Sequence, residues 1–383
     1  MNLSKIKTLF SNHTFILWAY ILVSVISTIH LYFIPEINFY VMYEYSFFHL
    51  IENKNLYPAY PKEYEDVFLY SPTFSVLMAF FAIFPTFFGI IFWNLFNTLI
   101  LYYAIKYIAI DDNKKVLIWW FGLHEALTAL QRTQPNVMIT GLIIFTFVFF
   151  ERKQIFWATC MIVFGFYIKI YGILGAALFL LYRDKLRFSL YFGFWLVFFG
   201  LLPLIFISPN QLVYLYVEWY KALVLEAKVD TALDVSLLSF IQQNIYQIED
   251  KYLILSGIII FCLPYLRYKM YSEFRFRFLY LANILLWVIL FSPASESSTY
   301  VIAVYGVAIW YVSSNDSIDY YKIFLMIFVF ILTSLSPSDL FPNFVRDQYI
   351  KPMVLKALPC ILVWFYVMYD LYVGVQKKQN LLL

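Results

Sequence analysis

The chain has 383 residues, of which 63% are hydrophobic, 22% aromatic and only 13% charged, and its mean hydropathy is +0.75. Soluble domains carry about 25% charged residues and about 45–50% apolar ones, so a soluble enzyme is excluded and an all-α polytopic membrane protein is expected, read as a single domain over residues 1–383. The net charge of +3 is spread over short loops without a basic stripe, which excludes nucleic-acid binding, and the three cysteines (Cys160, Cys262, Cys360) all lie in apolar runs with neither metal-ligand nor disulfide spacing.

The first apolar run, about residues 15–33, is long enough to cross and has no small-residue cleavage site after it, so it is expected to stay as a helix. Lys5 and Lys7 precede it and place the N-terminus in the cytoplasm. Residues 35–71 are then an outer loop in which six acids (Glu36, Glu44, Glu52, Glu63, Glu65, Asp66) face two lysines, with Tyr and Phe interleaved throughout. Its first part reads as an amphipathic helix lying in the membrane interface, and residues 55–61, with an Asn and two prolines, read as a turn.

Four apolar runs follow, at about 72–84, 88–110, 116–131 and 136–150, ending at the basic turn Glu151-Arg152-Lys153. Passing from outside to inside takes an odd number of crossings. About 20 residues are needed to cross about 30 Å of hydrocarbon, so the run at 72–84 is expected to be short or re-entrant. Residues 155–182 are too long for one span, are interrupted by Lys169 and have basic flanks on both sides; two short helices with Lys169 near the outer turn are expected. Residues 188–207 cross outward. In the second outer loop, about 208–251, Leu212, Leu215, Tyr216, Trp219, Tyr220 and Leu223 recur at helical spacing, which predicts a second interfacial helix. Runs at 252–266, 278–291, 301–313, 321–334 and 353–372 complete about twelve membrane segments, with both termini cytoplasmic.

Polar residues within this apolar chain are the candidates for chemistry. Lys169, in GFYIKIYGILG, is the leading cation, with snorkelling to the interface as the alternative. Glu125 and Arg132 are expected to neutralise each other inside the bundle, while His124-Glu125 is not a metalloprotease motif because Thr128 stands at the second histidine position. Gln134 and Asn136 flank Pro135 in a polar turn, and Glu296 lies in the short outer loop SPASESST.

Three stretches together resemble glycosyltransferase family 87, the domain of unknown function 2029, of polyprenol-phosphate-dependent mannosyltransferases. VFLYSPTFSVLMAFFAIFPTFFGIIFWNLFN is similar to its Tyr-x-Pro-x-Phe…Pro…Trp segment, RTQPNVMITGLIIF to its Gly-Gln-x-Asn turn with Thr133 for the Gly, and GFYIKIYGILGAALFLLYRDK to its Ile-Lys-Pro segment with Ile170 for the Pro. The resemblance implies a GT-C type helical bundle with its site on the outer face, a polyprenyl-phosphate sugar donor and no nucleotide-sugar domain. It carries over Asn38, Tyr70, Gln134, Asn136 and Lys169 as substrate-binding or framework positions.

Where the family places its presumed catalytic Asp, this chain has Asn38, and an amide cannot be a general base; SPASESST occupies the place of a histidine-containing loop. The base is therefore expected among Glu36, Glu44, Asp66 and Glu296. The function that follows is transfer of a hexose, possibly mannose, from a polyprenyl phosphate to a lipid or glycan acceptor at the outer face of a bacterial inner membrane. No cofactor is required, although the loop acids would permit a divalent metal. The alternative is a non-catalytic polyprenyl-lipid carrier or an envelope-glycan assembly protein.

Overall fold

The computed structural model of the chain describes residues 3–33, 39–226, 234–293, 295–314, 319–338 and 341–374, and every regular element among them is helical. Three helical stretches, His13–Phe33, Thr86–Lys106 and Lys185–Ile205, are long and apolar enough to cross a membrane, and the other apolar helices run to 10–17 residues. At about 1.5 Å per residue the three reach across the hydrocarbon unaided, so helix length alone supports three crossings and leaves the expected twelve open. The helices pack into two compact units.

The first unit comprises residues 1–109, 126–173 and 186–230. Its helices are α1 (Leu3–Phe10), α2 (His13–Phe33), α3 (Phe39–Ile51), α4 (Pro72–Ala82), α5 (Thr86–Lys106), the end of α6 (Asp112–Gln131), α7 (Asn136–Glu151), α8 (Ile155–Ile168), α9 (Lys185–Leu201) and α10 (Pro209–Glu226). Helices α2 and α5 are antiparallel: Tyr102 donates to the His13 carbonyl at one end, and the Tyr32 and Phe87 rings meet at the other. Their seam is polar, with Ser24 bonded to Thr98 at 2.7 Å and Asn94 donating to Thr28 at 3.2 Å, the kind of interhelical contact that holds helices where burying apolar surface gives no drive. Helix α7 runs parallel to α5, because Asn97 accepts from the Met138 amide near one end and Arg152 donates to the Tyr107 carbonyl at the other. Helices α8 and α9 are also parallel to each other, tied by Trp195 to the Phe156 carbonyl and by Tyr167 to the Leu196 carbonyl.

This arrangement gives the first unit two chemically distinct ends. Lys106, Arg152, Lys153 and Arg187 gather at the end where α5 and α7 stop and α8 and α9 start. The opposite end carries α3, α4, the loop between them and α10, with Glu44, Glu52, Glu63, Glu65, Asp66 and Glu218. Basic residues mark the cytoplasmic side of a membrane protein. The short run at 72–84 is the 11-residue α4, and it doubles back against α3: Tyr43 packs on Tyr70 and Phe74, while Tyr40 and Phe81 both border Gly89. The break at Lys169 is also as expected, since α8 stops at Ile168, Lys169 is extended and a 3₁₀ helix covers Ile170–Leu181.

The second unit comprises residues 110–125, 174–185 and 231–383. Its core is the pair α13 (Phe274–Leu290) and α14 (Tyr300–Val312), both buried nearly all round, as befits helices surrounded by others. Around them lie the start of α6, α11 (Leu237–Asn244), α12 (Asp250–Cys262), α15 (Tyr320–Phe328), the one-turn α16 (Asn343–Val345) and α17 (Leu358–Tyr369). Two buried ion pairs serve this unit. Lys322 meets Asp370 at 2.8 Å, with Trp310 donating to the same carboxylate oxygen. Lys356 meets Glu125 at 3.2 Å.

Candidate functional site

A chain of polar side chains crosses the first unit where α7 begins and α8 ends. Asn136 donates to Gln134 Oε1 at 2.6 Å, and Lys169 Nζ donates to Asn136 Oδ1 at 3.1 Å while lying 5.0 Å from the Tyr171 ring centroid. Gln134 and Asn136 are buried, and Lys169 is half-buried.

Local sequence explains why these groups converge. Pro135 precedes the first turn of α7 and has no amide hydrogen to satisfy there. Thr133 adopts a left-handed φ of 52°, which turns the chain sharply from α6 into α7, and Trp93 fixes the turn by donating to the Thr133 carbonyl at 2.7 Å. A β-branched residue is strained at such a φ, which accounts physically for the glycine that the resemblance places at this position. At the other side, the extended Lys169 leaves the helix axis, and the chain folds back so tightly that a Cβ on Gly172 would stand 2.2 Å from the Gly165 carbonyl carbon.

The loop between α3 and α4 is anchored beside this chain. Ser71 caps α4 by accepting from the Phe74 amide at 3.2 Å, and its hydroxyl donates to the Tyr167 carbonyl, two residues before Lys169. Tyr70 is buried, bonds the Tyr43 hydroxyl at 2.8 Å and stacks on Phe74 at 4.5 Å. The expected second interfacial helix is α10, and it closes on the same loop. Trp219 donates to the Leu69 carbonyl, Thr73 bonds Tyr216 and the Phe199 carbonyl, and Asn55 donates to Glu218. The structure thus joins Tyr70, Gln134, Asn136 and Lys169 through direct bonds and one neighbouring anchor.

The carboxylates are dispersed. Glu44, on α3, accepts from Thr86 at 3.1 Å; burial pushes its carboxyl pKa up. Asp66 is exposed and accepts from the Val67 amide. Glu296 belongs to the second unit, at the start of the 3₁₀ turn Ser297–Thr299, and accepts from Ser298. Glu36 and Asn38 lie outside the described residues. Among the described residues no group of three His, Cys, Asp or Glu side chains is placed to hold a metal ion.

One expected pairing is corrected. Glu125 is neutralised by Lys356, not by Arg132, which is exposed in the first unit. Glu125 lies on α6 and Arg132 just past its end, seven residues on, a spacing beyond the reach of i,i+3 and i,i+4 pairs. Sequence reasoning also missed three groups. Asn97, an amide inside an apolar run, orients α7. Lys356 signals itself as a cation between Met353 and Cys360. Asp234, just before α11, accepts from Ser236 at 2.7 Å, and among the described residues its Oδ1 is buried without a hydrogen-bond partner. Burial pushes the Asp234 carboxyl up to about 6.

Residues 68–293, more than half of the chain, match the sequence model of Glycosyltransferase family 87, and the chain belongs to that family. The matched span holds Tyr70, Gln134, Asn136 and Lys169 and begins after Glu36, Asn38, Glu44 and Asp66. No curated protein and no solved structure matches the chain. Family membership together with the long apolar helices makes this a membrane glycosyltransferase, one that takes a sugar donor and an acceptor.

Proposed function

We propose that this family 87 glycosyltransferase moves a hexose, mannose foremost, from a polyprenyl phosphate to a lipid or glycan acceptor at the outer face of a bacterial inner membrane, with both termini in the cytoplasm. The observation that carries this reading is the Gln134–Asn136–Lys169 chain, seated beside the anchored first loop in the unit whose opposite end is basic. Lys169 supplies a cation directed by the amide oxygen of Asn136, and a phosphate is the group such a cation would hold. Asn136 and Gln134 fix its direction. In the reaction, a carboxylate takes the proton of the acceptor hydroxyl as that oxygen attacks the anomeric carbon, and the polyprenyl phosphate departs with its developing charge against Lys169. Glu44, on α3 in the same unit, is one described candidate for the base. Glu36, Asp66 and Glu296 are the other candidates.

The test is transfer by the purified protein in nanodiscs, with radiolabelled polyprenyl-phosphate hexoses as donors and a host lipid extract as acceptor. Label moving into the acceptor, and lost on Lys169→Met, supports the reading; transfer unaltered in Lys169→Met sinks the role of Lys169. The second reading, a polyprenyl-lipid carrier or assembly protein, is favoured by the amide of Asn38 at the family's Asp position. It gains if polyprenyl phosphate binds but no donor yields transfer.

A further inference from the structure

We propose that the basic end of the first unit holds a binding site for the phosphate headgroup of an anionic phospholipid, set between the start of α8 and the first turns of α9. The site is a cavity of about 270 Å³. Lys153, Gln154, Phe156, Trp157, Arg187 and Tyr191 line it, and no acidic residue does. Among the described residues the side chains of Lys153 and Arg187 have neither a carboxylate nor a hydrogen-bond partner, although the neighbouring Arg152 bonds the Tyr107 carbonyl and lies 5.0 Å from the Tyr107 ring centroid. Two like charges held about one cavity with no counter-charge are the pattern an anion resolves.

The walls are built independently of any ligand. Trp195 donates to the Phe156 carbonyl at 3.0 Å, Phe156 meets Tyr191 edge-on at 5.3 Å, and Trp157 packs against Trp195 at 6.3 Å. Lys153 is held at a left-handed φ of 58° by bonds from its own amide and that of Gln154 back into the last turn of α7. Such a φ is uncommon for a residue other than glycine. Trp157, 48% exposed, gives the cavity an apolar, aromatic margin of the type found at the membrane interface, which suits a lipid better than a free anion. Basic pockets between helices on the cytoplasmic side take anionic headgroups for these reasons. This site is separate from the polar chain at Lys169 and does not depend on the glycosyl-transfer reading.

The experiment is native mass spectrometry of the full-length protein released from nanodiscs of mixed phosphatidylglycerol and phosphatidylcholine. The wild type is expected to retain phosphatidylglycerol preferentially. Lys153→Ala/Arg187→Ala should lose about 30-fold of that preference, two surface cations' worth, while unfolding at an unchanged temperature in phosphatidylcholine alone. Equal retention of the two lipids by the wild type, or a preference unchanged in the double variant, overturns the proposal. Full displacement of the bound phosphatidylglycerol by millimolar inorganic phosphate also overturns it, since the site would then be one for the free anion.

Discussion

Lys356 and Glu125 stand 3.2 Å apart with side chains 4% and 0% exposed, joining α6 to the segment before α17 inside the second unit. Lys356 also donates to Ser297 at 2.9 Å and lies 5.1 Å from the Tyr300 ring centroid, whereas Glu125 Oε2 has no hydrogen-bond partner among the described residues. Breaking such a pair from one side leaves a buried charge uncompensated, at a cost of about 3–5 kcal/mol, while replacing both members with apolar groups is often neutral or better. Lys356→Met should therefore lower the unfolding temperature in detergent sharply, and Lys356→Met/Glu125→Leu should recover most of the loss. Arg132→Ala should change stability by less than about 0.5 kcal/mol. Equal damage from Lys356→Met and the double variant would show that the contact stabilises through packing rather than charge.

The polar chain at Lys169 makes a graded prediction. Asn136 accepts from Lys169 and donates to Gln134, so Asn136→Ala leaves the cation in place but undirected. A hydrogen bond to a charged group contributes about 1.5–3 kcal/mol, which corresponds to a fall in kcat/KM of about 10- to 150-fold. Gln134→Ala, one bond further from the cation, should cost less. Initial rates of labelled sugar transfer measure both, and a larger effect at Gln134 than at Asn136 would reverse the assigned order.

Much of this fold is legible in apolar run length and in the position of charges. The break at Lys169, the short α4, the helix α10 and the basic and acidic ends of the first unit all follow from where a charge or proline interrupts hydrocarbon-compatible sequence. Gln134, Asn136 and Lys169 were recognisable through the resemblance, but the bond from Lys169 to Asn136 was not, because it joins residues 33 positions apart and no local pattern spans that distance. The partner of Glu125 was misread for the same reason. Proximity along the sequence favoured Arg132, while tertiary packing delivered a lysine 231 residues away. Asp234 resembled the other loop acids until its burial was known.

The close backbone approach at the Lys169 break predicts a glycine requirement. A Cβ at position 172 would fall 2.2 Å from the Gly165 carbonyl carbon and 2.6 Å from its Cα, distances that side-chain adjustment cannot relieve because both atoms are backbone. Gly172→Ala should push the 3₁₀ segment off α8, cost about 1–3 kcal/mol of stability and displace Lys169 from Asn136. Transfer should fall together with stability. Gly193→Ala, inside α9 where an added Cβ meets nothing within 4 Å, is the matched control: it should leave transfer unchanged and raise stability by up to about 1 kcal/mol.

Asp234 gives the protein a pH dependence whose sign is fixed by its burial. Its carboxyl is raised to about 6, through desolvation opposed by bonds from Ser236, Ser239 and the Ser295 backbone, with Asp250 adding to the rise. The folded state thus holds a proton that the unfolded chain releases near the ordinary Asp value of about 3.9. Stability from this group is fully present below pH 3.9 and is lost as pH rises through about 6, because the folded state binds more protons in that window. Glu52, Glu218 and Asp347 have lowered carboxyls and act in the opposite sense, so the readout is the difference between wild type and Asp234→Asn. Unfolding temperatures measured from pH 4 to pH 7 should show Asp234→Asn gaining on the wild type as pH increases, with most of the gain by about pH 6. A constant difference across that range would mean that Asp234 is already ionised in the folded protein, with Oδ1 bound to a group that the bonds from Ser236 and Ser239 do not supply.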